Sequence, residues 1–158
     1  MNFKKIIFLI IFLFTNISIA QQEIVIEGKY TVEIERLVKN KKIKAAFAKI
    51  KELEPKTMKR HISLTEIPSP PFKESKRAAA FANHFKELGV DSLWIDSEGN
   101  VLGLFKGSKG NRTIALDAHL DTVFPEGTDV KVNIKNDTPF APGIGDDTRG
   151  VSIILTLI

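Results

Sequence analysis

The chain has 158 residues, room for at most one ordinary domain. Its formal charge is +4, but the lysines and arginines of residues 39–60 are mixed with Glu52 and Glu54. That is the pattern of solvated helix faces, not of the dense, aromatic-studded basic patch that binds nucleic acid. The absence of cysteine excludes disulfides and a cysteine-linked lipid anchor.

Residues 1–20 read as a secretory signal peptide. Lys4 and Lys5 make a basic start, residues 6–19 are almost wholly apolar, and Ser18-Ile19-Ala20 is a small-x-small cleavage site. The apolar run is shorter than the ~20 residues a spanning helix needs, so no stable membrane span is expected after signal removal. The expected mature chain, residues 21–158, is exported to a periplasmic or extracellular location. Loss of Lys4 and Lys5 lowers its formal charge to +2.

Helical periodicity runs through residues 31–40 and 42–53; in the second, Ile43, Ala46, Phe47 and Ile50 fall on one stripe. Pro55 is expected to interrupt, with a further helix over residues 58–64. Ile67-Pro68-Ser69-Pro70-Pro71 is a rigid connector. Residues 73–88 form the strongest helix, with Ala78, Phe81, Ala82, Phe85 and Leu88 as its apolar stripe and Gly89 at a left-handed C-cap. Residues 92–95 and 101–105 read as strands joined by the turn cluster Asp96-Ser97-Glu98-Gly99-Asn100. Residues 113–118 read as a third strand, buried on both faces in a central sheet, and residues 130–134 as an edge strand. From Thr148 a helix begins whose Val151, Ile153, Ile154, Leu155, Leu157 and Ile158 leave almost no polar face. Such a helix expects burial all round.

Two segments carry candidate chemistry. In Ala118-His119-Leu120-Asp121-Thr122-Val123-Phe124-Pro125, His119 and Asp121 point to the same side if the strand persists that far. An imidazole that binds metal through one nitrogen usually gives its other N–H to a carboxylate, and Asp121 suits that task. On spacing alone, a His and an Asp that merely pair at a strand end explain the pattern better. In Pro142-Gly143-Ile144-Gly145-Asp146-Asp147, two glycines permit tight turns and two carboxylates precede a helix. An N-cap role alone would account for those aspartates. His61 and His84 read as surface or packing residues.

Together the segments resemble the co-catalytic zinc exopeptidases that include peptidase T, aminoacylase, succinyl-diaminopimelate desuccinylase and the glutamate-releasing carboxypeptidases. That family has a strand ending in His-x-Asp-Thr-Val, then a Gly-rich loop ending in an Asp before a helix. The connector from Ile67 to Phe72 and Glu98-Gly99-Asn100-Val101 also look like its N-terminal portion, so the resemblance covers residues 58–158. It implies an α/β fold: the N-terminal part of a zinc-peptidase catalytic domain, with a central mixed sheet flanked by helices, incomplete here. It implies that His119 ligates one zinc, that Asp146 bridges two zinc ions, and that Asp121 is the catalytic-site carboxylate orienting His119. Asp147 occupies a variable position and is not assigned as a ligand. Thr148-Arg149-Gly150 departs from the Lys-Gly-Gly of many members, which leaves the substrate subgroup open.

The resemblance implies hydrolysis of peptide or N-acyl amino acid substrates by a metal-activated water, and a homodimer for the complete protein. The family takes its general base, remaining ligands and dimerising domain from sequence beyond the second segment. The chain is therefore expected to be an N-terminal fragment of an exported metallopeptidase, inactive or poorly active alone. The alternative is a short product without hydrolase activity, a binding remnant of that fold.

Overall fold

A computed structural model describes residues 26–108 and 111–158; the signal-peptide segment lies outside them. The chain divides into two compact units, Met1–Ala45 and Ala46–Ile158. Among the described residues no helix is long and apolar enough to cross a membrane.

Helix α1 spans Gly28–Lys39 and none of its residues is buried. Asn40 then serves two helices. Its N–H closes onto the Leu37 carbonyl, and its side-chain oxygen accepts the Lys42 N–H at 2.8 Å, as an N-cap does.

Helix α2 runs unbroken over Lys41–Thr65, with Pro55 inside it. The expected interruption does not occur. Proline removes one helical N–H and costs about 3 kcal/mol in a helix interior, but the half after Pro55 is anchored by burial of Thr57, Arg60, His61, Leu64 and Thr65. Thr57 Oγ1 also bonds back to the Leu53 carbonyl at 3.1 Å. Tertiary anchoring thus overrides local propensity.

After the Pro-rich connector, helix α3 spans Ser75–Glu87 and buries Ala78, Phe81, Ala82 and Phe85, the expected stripe. It ends in a Schellman motif: Gly89, at φ +74°, donates to Lys86 and Val90 donates to Phe85. Strands β1 (Ser92–Ile95) and β2 (Val101–Leu104) form an antiparallel hairpin, with Ser92 opposite Leu104. Asp96 shapes its turn by accepting the N–H groups of Glu98 and Asn100 at 3.0 and 2.9 Å. Gly103 is a close-approach position, since a Cβ there would lie 2.9 Å from the Phe85 ring.

Residues 113–118 do not form the expected strand, and their backbone pairs with no other described segment. Ile114 is 85% exposed and Leu116 56% exposed, against the expectation of burial on both faces. Their apolar alternation is a local signal; a strand also needs a backbone partner, and none is provided among the described residues. The edge strand expected over residues 130–134 is instead the short β3 (Asn133–Lys135), paired antiparallel with β4 (Thr138–Phe140). Asn136 and Asp137, both at positive φ (48° and 60°), make the turn as in a type I′ hairpin. The α/β class holds, and among the described residues there are two sheets, each two-stranded and antiparallel.

Helix α4 spans Thr148–Leu157. It is not buried all round: Thr148, Val151, Ser152 and Leu155 face inward while Ile153 and Leu157 remain exposed. The two inward hydroxyls are accommodated because each is hydrogen-bonded; Ser152 Oγ donates to the Thr148 carbonyl at 2.7 Å. The core joins Leu64 of α2, Phe81 and Phe85 of α3, and Val151 and Leu155 of α4. Leu93, Val101, Phe105, Ala118 and Leu120 pack on its margin.

A fully buried cation organises the connector. Arg77 of α3 donates to the Ile67 carbonyl at 2.6 Å and to the Leu120 carbonyl at 2.8 Å. Burial pushes its guanidinium down to about 10, opposed by Asp121, so it remains charged at neutral pH. Hydrogen bonds to a charged donor contribute about 1.5–3 kcal/mol each. Arg77→Met should therefore lower stability by about 3 kcal/mol or more, read as a reduced urea midpoint with an unchanged slope.

Candidate metal centre

Leu120 is the pivot of the first site segment. Its side chain packs on the core margin, and its carbonyl accepts from Arg77 and, at 2.8 Å, from Ser69 Oγ. Thr122 then locks onto the connector: its N–H meets the Ser69 carbonyl at 2.8 Å. With Leu120 inward, His119 and Asp121 emerge together on the solvent side, each about half exposed (49% and 42%). Residues two apart in extended backbone do this whether or not a sheet forms around them.

The second segment approaches across 27 positions of sequence. Gly143, at φ +75°, passes so close to Thr122 that a Cβ would sit 2.6 Å from its methyl carbon. Only glycine fits both that conformation and that contact. The loop then delivers Asp146 to His119, with Nε2 and Asp146 Oδ1 2.8 Å apart. On the other side of the ring, Nδ1 lies 3.1 Å from Asp121 Oδ1 and 3.0 Å from the Asp121 carbonyl. The Asp146–Asp147 peptide is cis. Asp147 turns away from His119 and caps α4, accepting the Gly150 N–H at 3.0 Å.

Two carboxylates beside one imidazole favour its charged form. The Asp146 hydrogen bond is the largest cause raising the His119 pKa above its ordinary value near 6.5; slight burial opposes it, and Asp121 adds to it. The same donors suit a divalent cation. Nε2 and the Asp146 carboxylate face one another, and Asp121 takes the remaining ring N–H, as partners of metal-binding imidazoles do. The fit is partial, because among the described residues no group of three or more His, Cys, Asp or Glu side chains is placed to hold a metal ion. A catalytic zinc typically has three protein ligands.

The other histidines stand apart from this pair. His84 lies on α3 with Nδ1 3.1 Å from Glu87. His61 is buried, with Nε2 2.6 Å from the Ile144 carbonyl beneath the Asp146 loop, and burial lowers its pKa. Sequence reasoning placed both as surface or packing residues but did not connect His61 to the loop. It also missed Arg77, whose one signal is its place beside the Ala78–Phe81–Phe85 stripe.

No family model matches the chain. It is 31% identical over 87 residues to an uncharacterized protein, YgeY, of Escherichia coli (strain K12); the match covers 55% of this chain and 21% of that protein. It is 36% identical over 77 residues to carboxypeptidase G2 of Pseudomonas sp. (strain RS-16), covering 44% of this chain and 18% of that enzyme. The chain thus spans about a fifth of the length of these curated relatives, and part of it is similar to part of a peptidase.

The ion-pair geometry sets a titration prediction. In the metal-free chain His119 should titrate above 6.5, followed by NMR of its ring protons. Asp146→Asn should bring the midpoint down further than Asp121→Asn. The favourable charge pairing of His119 is complete below its unfolded pKa and is lost as pH rises through the raised folded value.

Proposed function

We propose that this chain supplies the first part of the metal centre of an exported zinc-dependent peptidase or amidohydrolase. The observation that supports it most is His119 set between two carboxylates, with Nδ1 against Asp121 and Nε2 against Asp146. The partial similarity to a carboxypeptidase agrees with this reading.

In this reading His119 and Asp146 would be direct metal ligands. Zinc held there would supply Lewis-acid activation of a carbonyl and of a water, the chemistry that hydrolysis of peptide or N-acyl amide bonds needs. With metal bound, Asp121 would hold the remaining His119 proton on Nδ1 and leave the Nε2 lone pair for the ion. Arg77, Ser69 and Thr122 hold the His119 segment against the connector, so the imidazole needs little reorganisation on binding. The remaining ligands and the general base are assigned to neither His61 nor His84. With two direct donors the chain alone should bind zinc weakly and turn over little substrate. That donor count also favours a second reading, a zinc-binding segment without hydrolase activity.

Zinc affinity of the chain, measured by competition with a chromophoric chelator, tests the site. Asp121→Asn should weaken it by ~10–100-fold, the usual effect of losing a ligand's supporting carboxylate. His119→Ala and Asp146→Ala should weaken it more, and zinc retention by both would overturn the assignment. Zinc-dependent cleavage of dipeptides or N-acyl amino acids by the same preparation separates the hydrolase reading from the non-catalytic one.

Export rests on residues 1–20 alone. Amino-terminal sequencing of the protein recovered outside the cytoplasm should begin at Gln21, and an intact Met1 on a cytoplasmic product would rule export out.

A further inference from the structure

The loop that carries Asp146 has little side chain of its own with which to hold its shape. Pro142, Gly143, Ile144 and Gly145 lead into it, and the Asp146 side chain is 86% exposed. Its order comes from below, where α2 and α4 meet its carbonyl groups.

Two donors lie near the Ile144 carbonyl. Thr148 Oγ1 is 3.2 Å away, but it also lies 3.0 Å from the Gly143 carbonyl and 2.7 Å from Thr65 Oγ1. A hydroxyl has one proton. Thr65 has its own acceptor, the His61 carbonyl at 2.8 Å. The Thr148 proton is therefore divided among competing acceptors. His61 Nε2, at 2.6 Å, is directed at Ile144 alone.

Donation from Nε2 fixes the neutral His61 as the Nε2–H tautomer. Its Nδ1 is then a bare acceptor, and it is buried without a hydrogen-bond partner. The residue is 5% exposed. A buried polar atom without a partner is unusual and asks for a reason. An aliphatic side chain would leave no such orphan, and would also leave the Ile144 carbonyl without its one dedicated donor.

We propose that His61 is a positioning residue for the candidate metal centre, holding the Ile144 carbonyl so that the loop presents Asp146 to His119. This rests on the reading of His119 and Asp146 as metal ligands. Glutamine can extend an amide N–H to about the reach of Nε2, whereas asparagine ends one bond shorter and leucine has no donor.

The test uses the whole chain with His61→Gln, His61→Asn and His61→Leu, each first checked for native helix content. Zinc affinity is measured by chelator competition, and loop order by backbone NMR order parameters at Gly145, Asp146 and Asp147 in the metal-free protein. The expected result is a loss of zinc affinity of about tenfold or more in the Leu and Asn variants, with lowered order parameters, and near-native values for Gln. Near-native loop order in Leu or Asn overturns the proposal, as does equal loss in Gln, or a loosened loop with unchanged affinity. If Leu fails to fold, the Asn and Gln pair decides. If the unmodified chain takes up no zinc, the metal reading falls, while the order parameters still decide whether His61 holds the loop.

Discussion

A guanidinium with no exposed surface is an expensive thing for a small protein to bury, and much of the site depends on one. Arg77 reaches from α3 to the Ile67 and Leu120 carbonyls. The proline-rich connector cannot join a helix, and among the described residues the segment around His119 and Leu120 joins no sheet, so both have main-chain carbonyls in search of donors. Arg77 serves both at once. Ser69 reinforces it by donating to the Leu120 carbonyl and receiving the Thr122 N–H. Because Leu120 is pinned from beneath, its neighbours His119 and Asp121 are set on the solvent side.

The same device recurs across the interior. Thr57, Arg60, His61, Thr65, Ser69, Thr122, Thr148 and Ser152 are buried beside a modest apolar cluster of Leu64, Phe81, Phe85, Val151 and Leu155. Arg60 donates to the Leu155 carbonyl at 3.0 Å, near the end of α4, where helical carbonyls have no partners of their own. Thr57 meets Thr156 at 2.8 Å, and Thr65 meets Thr148 at 2.7 Å. The seam between α2 and α4 is thus a hydrogen-bonded layer as well as an apolar one. Such bonds are directional, and they specify how α4 and the loop preceding it sit on α2.

Electrostatics at the site act in the opposite sense to those in the interior. Burial penalises charge on Arg77 and His61, which lowers both pKa values. At His119 two carboxylates stabilise the charged ring and raise it. Under the proposed metal reading, a divalent cation would compete with a proton for the same ring nitrogen, so its uptake would release a proton and strengthen as pH rises.

Much of the local structure was legible in residues alone. The α3 stripe and its Gly89 cap, the Asp96 turn, the connector and the Asp147 cap of α4 each depend on a few neighbouring residues and their backbone preferences. So does the pairing of His119 with Asp121, which needs only two positions of extended chain. Tertiary structure alone decided the rest. It carried α2 through Pro55, left residues 113–118 without a strand partner, sank Arg77, and gave α4 one buried face instead of all. It also brought Asp146 to His119 and His61 under the loop. Periodicity and turn chemistry are written over a few residues, whereas these outcomes depend on which distant carbonyls lack donors and which faces find something to pack against.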